Sequence, residues 1–251
     1  KQIYFSTNYY NKSLLSKIPQ QLYFYPSPFL LSSITNYKKN LFKINEIDAN
    51  FFWINKKNIL EERDLHSFLW LNLIDRKNDG KSLQKIIKIW IMKHSNYKKK
   101  IWDSSVLSQR IISWVLNVDI ILNKGSFDFR RNFFSSIVSQ ANHLKKNIKF
   151  EKNYYKRIEI LTALMLTGLV FKEYSENYNI AVKELEKLVK KIFDHDGFPL
   201  TRNPSDLIFF SKYLIFCKEC IKEAQEYIPE FLDNIIIQNL TCLKNISTPN
   251  N

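Results

Sequence analysis

The stretch Trp102-Asp103-Ser104-Ser105-Val106-Leu107-Ser108-Gln109-Arg110-Ile111-Ile112-Ser113-Trp114 decides the fold class. Asp103, Ser104 and Ser105 are side chains that accept hydrogen bonds from the free N–H groups of a helix start. Beyond them Val106, Ile111, Trp114, Val115, Val118, Ile121 and Leu122 leave little polar face. That pattern predicts a central helix running to about residue 123, stopped by Lys124-Gly125-Ser126.

Outward from this helix the text stays helical. Leu65, Phe68, Leu69 and Leu73 recur at three- and four-residue intervals and predict a helix over about 60–75, closed by Asn78-Asp79-Gly80. A second is expected over 81–95, with Ser82 as a possible cap and Ile86, Ile87, Trp90 and Ile91 inside. Downstream, helices are expected over 127–148, 154–174 and 177–194, after Pro204, and from near Pro229 to about 246. Ala163 and Gly168 give the 154–174 helix a small-residue face for close packing. Short Gly/Asn/Pro connections between helices of similar length make antiparallel hairpins, and no fixed repeat period is visible. Residues 1–58 lack a sustained period; Pro19, Pro26 and Pro28 punctuate Leu22-Tyr23-Phe24-Tyr25. They are expected to form an irregular arm on the 59–246 body, with a short strand as an option.

Composition supports the same reading. The 251 residues hold only 4 Gly and 7 Pro, too few for the turns of a β-sandwich or barrel, so an all-α fold is expected. No apolar run reaches membrane-spanning length. Lys and Arg number 38 against 24 Asp and Glu, a net charge of +14. Such a balance suits nucleic acid, an acidic polysaccharide or an anionic membrane face, and equally suits solvated helix faces rich in Lys. The basic residues are dispersed and no nucleic-acid motif is present, so nucleic acid is not the expected partner. The 4 His show no metal-ligand spacing, and neither a glycine-rich phosphate loop nor a G-x-S-x-G elbow occurs. No metal and no cofactor are therefore expected. Cys217 and Cys220 fall mid-helix, where small buried residues are the ordinary reading.

Four segments could carry chemistry. In the first, His66 and Trp70 stand four apart, on one face of the expected helix, where an indole can stack on a sugar ring; both also fit a core. In the second, Arg110 precedes Trp114 by four in apolar text, so its cation must meet a carboxylate of the protein or of a ligand. In the third, Arg157 and Glu159 open an apolar helix, as a structural pair or as part of a site. The fourth, Asp194-His195-Asp196-Gly197-Phe198-Pro199-Leu200-Thr201-Arg202-Asn203-Pro204, is a polar loop that suits either function or helix capping.

These segments resemble the N-terminal helical domain of heparinase II/III-like polysaccharide lyases, in particular an alphaproteobacterial branch. Leu65-His66-Ser67-Phe68-Leu69-Trp70-Leu71 is similar to that family's LH-x-F-x-WL helix, and Arg110 with Trp114 to its RxxxW helix. Arg157-Ile158-Glu159 with Ala163-Leu164 and Gly168-Leu169 resembles its R-x-E-A helix, and Asp196-Gly197 with Thr201-Arg202-Asn203-Pro204 its DGG-x-x-SRNP loop. The resemblance spans about 55–245. It implies an incomplete (α/α) toroid holding a uronate-containing acidic polysaccharide, a following β-sandwich domain that this chain lacks, and a periplasmic or cell-envelope location. It implies β-elimination, with one group neutralising the C6 carboxylate, a base taking the C5 proton and an acid protonating O4. The implied substrate-binding set is His66, Trp70, Arg110, Trp114, Arg157, Arg202 and Asn203. No catalytic residue can be assigned. The family's Asn-His pair falls where Tyr155-Lys156 stand, its loop Tyr where Asp206 stands, and a further His in the β domain. The chain is thus expected to bind, and the alternative to a lyase is a non-catalytic glycan-binding toroid.

Overall fold

The computed structural model of the chain describes residues 2–35, residue 53 and residues 62–247. The arm–body boundary expected at residue 58, and the start of the helix expected near 60, lie outside them. The fold is all-α. Among the described residues no strand occurs beyond a single antiparallel bridge between Phe193 and Pro199.

In the described arm, α1 (Gln2–Phe5), α2 (Asn8–Ser13) and α3 (Leu31–Ile34) are single turns joined by irregular chain. The optional strand at Leu22–Tyr25 is absent; proline on its flank leaves only one ladder-like bond, Tyr23 N–H to the Val170 carbonyl at 2.7 Å. The arm is tied to distant helices: Tyr10 Oη meets His143 Nδ1 at 2.7 Å, and Ser27 N–H donates to Glu223 at 2.7 Å.

The body contains α4 (Glu62–Ser67), α5 (Gly80–His94), α6 (Ser104–Leu116), α7 (Val118–Leu122), α8 (Phe127–Asn147), α9 (Tyr154–Val170), α10 (Ser175–Ile192), α11 (Pro204–Glu223) and α12 (Glu230–Ile246). Two expected helices are each broken. The 60–75 helix ends at Ser67, because Phe68 adopts φ 60, and continues as a 3-10 segment, Leu69–Leu73. A left-handed backbone costs a bulky residue about 1–2 kcal/mol; burial of the Phe68 ring against Trp70, Trp90 and Trp114 offsets it. The 103–123 helix divides at Asn117, whose side-chain amide donates back to the Ser113 carbonyl at 2.9 Å.

Side-chain register fixes the layering. Lys156 meets Asp103 at 2.5 Å and Gln109 meets Glu159 at 2.7 Å, so α6 and α9 run in the same direction. Tyr155 meets Asp206 at 2.6 Å and Thr162 meets Cys217 at 3.4 Å, so α11 runs parallel to both. The intervening helices return. Arg110 bonds Gln140 while Trp114 packs on Phe133, setting α8 antiparallel to α6. Arg157 meets Glu184 while Gly168 abuts Tyr178, setting α10 antiparallel to α9. Lys218 with Asp233 and Ser211 with Asn239 set α12 antiparallel to α11. Consecutive helices thus form hairpins whose forward members, α6, α9 and α11, lie side by side. The expected close approach at Gly168 is present: a Cβ there would stand 2.8 Å from the Tyr178 Cα.

A candidate cleft at the head of three parallel helices

Because α6, α9 and α11 are parallel, their first turns gather at one end. Each is capped from the preceding residue: Asp103 accepts from Ser105 N–H (3.1 Å), Asn153 from Lys156 N–H (3.2 Å) and Asn203 from Ser205 N–H (2.9 Å). A cleft of about 460 Å³ opens where α11 faces the Leu69–Leu73 segment and α3. Its aromatic lining is Trp70, Phe209 and Tyr213; its polar lining includes Asp64, Asn72 and Lys212.

Under the cleft lies a buried, hydrogen-bonded pair, Tyr213 and Glu159. Tyr213 lines the cleft with its ring and donates its hydroxyl to Glu159 at 3.0 Å, while Gln109 donates to the same carboxylate oxygen at 2.7 Å. Burial raises the Glu159 pKa above the ordinary carboxylate value, against the opposing hydrogen bonds and the Arg63 charge. Burial, followed by the neighbouring Glu159, pushes the Tyr213 phenol well up, so it stays a donor. Beside this pair Asp206 accepts from Tyr155 (2.6 Å), Thr201 (2.6 Å) and Asn203 (3.2 Å). That bond to Asp206 is the main cause of the raised Tyr155 pKa.

The seven residues of the implied binding set do not share one face. His66, Arg110 and Trp114 come together, but inside the core. Trp114 is fully buried against Phe68 and Trp90. His66 accepts from Trp90 Nε1 at 2.9 Å and stacks on Trp53. Among the described residues Arg110 does not meet the carboxylate expected of it. Its Nε donates to Gln140 (2.6 Å), its Nη1 to the carbonyls of His66 (2.8 Å) and Ile101 (3.2 Å), and its guanidinium lies 4.3 Å from the centre of the Trp90 ring. Burial holds its pKa well below the usual arginine value. Trp70 is buried, donates to the Leu65 carbonyl at 3.1 Å and reaches the cleft wall. The break at Phe68 removes the shared helix face expected for His66 and Trp70.

Arg157 does not pair with Glu159, since residues two apart on a helix diverge; it meets Glu184 of α10 at 3.3 Å. Arg202 is exposed, at φ 59, and binds Asp194 at 2.6 Å. Asn203 caps α11. Both residues therefore close the 194–203 loop. Asp194, His195 and Asp196 bring potential metal-ligand atoms within 4.8 Å of one another. The Asp194 carboxylate is already engaged by the Asp196 and Phe198 N–H groups and by Arg202. Burial pushes the Cys217 thiol up to about 12, which leaves it unreactive.

The cleft residues Phe209, Lys212 and Tyr213 escaped the sequence reading. The signal was present: Asp206, Phe209 and Tyr213 stand three and four apart and face the same side of α11. No protein-family model matches the chain, no curated protein matches it, and no solved structure matches it.

Proposed function

We propose that this chain is the substrate-holding helical part of a heparinase II/III-like protein. In this reading the layered helices are a segment of an incomplete (α/α) toroid, and the cleft binds a uronate-containing acidic polysaccharide. The observation that carries it is the cleft itself. Phe209 offers ring surface to a sugar, the buried Trp70 and Tyr213 complete the wall, Lys212 offers a cation to its carboxylate, and Asp64 and Asn72 offer partners to its hydroxyls. The site differs from the one implied by the motifs, whose arginines work as scaffold beneath or beside it. Full β-elimination requires charge neutralisation, a base and an acid acting together. Tyr213 lines the cleft and is bonded to Glu159 behind it, so its hydroxyl is already engaged.

A non-catalytic glycan-binding role is the second reading. The engagement of Asp206 favours it: the side chain at the position of the family's loop Tyr is occupied by three hydrogen bonds.

Both readings are tested with heparan sulfate, hyaluronan, chondroitin and alginate at low salt, following binding and the ultraviolet absorbance of unsaturated uronate ends. Binding without turnover is expected. Lys212→Glu turns an attraction into a repulsion, each worth about 1 kcal/mol at 4 Å in water. It should weaken binding roughly tenfold or more. Wild-type affinity in that variant, or no binding to any of the four, rejects the cleft; turnover rejects the non-catalytic reading.

A further inference from the structure

The lysines between α8 and α10 are the strongest charged feature that the cleft leaves unused. Here a groove of about 570 Å³ is lined by Lys145, Lys146, Lys149, Lys183 and Lys187 over Ile148 and Ile180. One carboxylate, Glu184, reaches it, and this is held by Lys187 at 2.7 Å and Arg157 at 3.3 Å. Lys145 is paired with Glu176. Lys146, Lys149 and Lys183 are exposed and form no ion pair among the described residues.

Exposed rings flank these cations. Phe150 follows Lys149 and keeps 64% of its surface in solvent; Tyr9 keeps 75%. Tyr9 shares a face of α2 with Ser13, one turn on, and the Ser13 carbonyl accepts from Lys146 Nζ at 2.8 Å. The arm helix α2, which carries the exposed Tyr9, is therefore tied to the lysine cluster through Lys146.

We propose that this face docks on an anionic phospholipid bilayer, with the ammonium groups at headgroup phosphates and the Phe150 ring in the interfacial zone. Three features favour a lipid surface over a soluble polyanion. The free cations are all lysines, point charges without the planar fork that reads sulfate or carboxylate in two-pronged fashion; the nearby Arg157 is turned to Glu184. The groove has an apolar base along which lysine stems can lie while their heads reach the headgroups. The exposed Phe150 ring beside Lys149 is an aromatic surface of the kind that partitions to membrane interfaces. No helix among the described residues is long and apolar enough to cross a bilayer, so the contact is peripheral.

Cosedimentation of the full chain with vesicles tests this. Vesicles of phosphatidylcholine containing roughly one-quarter phosphatidylglycerol should carry the protein down at low salt, and vesicles of phosphatidylcholine alone should not. The double variant Lys149→Glu/Lys183→Glu should partition about tenfold less or worse, with unchanged far-ultraviolet dichroism because both side chains are exposed. Phe150→Ala should lose the binding that persists when salt is raised. Equal binding to the two kinds of vesicle overturns the proposal without any variant. So does a double variant that sediments like the wild type. Competition settles the remaining alternative: if soluble heparin loses affinity for the double variant while vesicle binding is unchanged, the lysines serve a soluble polyanion and the proposal falls.

Discussion

Arg110 shows how a residue can carry charge without serving as a site. Its guanidinium meets no anion among the described residues, yet it bridges α4, α6 and α8 through the His66 carbonyl, the Ile101 carbonyl and Gln140. Removing it opens a cavity and strands buried acceptors. Arg110→Ala is therefore expected to cost about 3–5 kcal/mol, measured by urea unfolding. Arg110→Lys should recover less than half of that, because a single ammonium cannot span three acceptors and a ring face. A loss within about 0.5 kcal/mol for Arg110→Ala would contradict this bracing role. Glu159 makes a second residue-scale prediction, in pH. Its folded pKa is raised, so the native state keeps this proton after the unfolded chain has released it. Stability contributed by this group therefore falls as pH rises from the ordinary glutamate value through the raised one. Glu159→Gln keeps an acceptor for Tyr213 and Gln109 and has no proton to lose. The stability of the variant minus that of the wild type should grow from about pH 4.5 upward and then level off. A difference independent of pH would show that Glu159 ionises normally.

At the scale of the elements, several helix starts were legible in the sequence, although Ser82, read as a possible cap, lies inside α5, whose cap position is Asp79. Asp103, Asn153 and Asn203 each precede a helix and each caps it, because capping depends on neighbours within three residues. Phe68 was illegible for the opposite reason. Its apolar spacing continues a helical period, and only the Trp70, Trp90 and Trp114 rings packed on it explain the left-handed turn. The candidate site failed to be read in the same way: a buried arginine and an arginine at a cleft have one local sequence signature, and burial depends on α8, thirty residues on. Gly168 was readable as a small residue for close packing. Gly168→Ala would press a methyl group into the Tyr178 backbone, which cannot swing aside as a side chain can. Separation of α9 from α10 should cost roughly 1–3 kcal/mol or more, read as a lower thermal midpoint. An unchanged midpoint would mean that the two helices slide apart freely.

At the scale of the whole molecule, the arm is bound to helices far along the chain. Tyr10 waits for His143, Tyr23 for Val170, and Ser27 for Glu223, 196 residues later. A ribosome adds about 5–20 residues per second, so Ser27 is made about 10–40 s before its partner. Through that interval the underside of the arm, Tyr10, Leu14, Leu22 and Leu31, has no finished surface to cover it. Vectorial synthesis therefore makes the arm, synthesised well ahead of its partners, among the last to dock, and the nascent chain carries its own apolar strap uncovered until α11 has emerged.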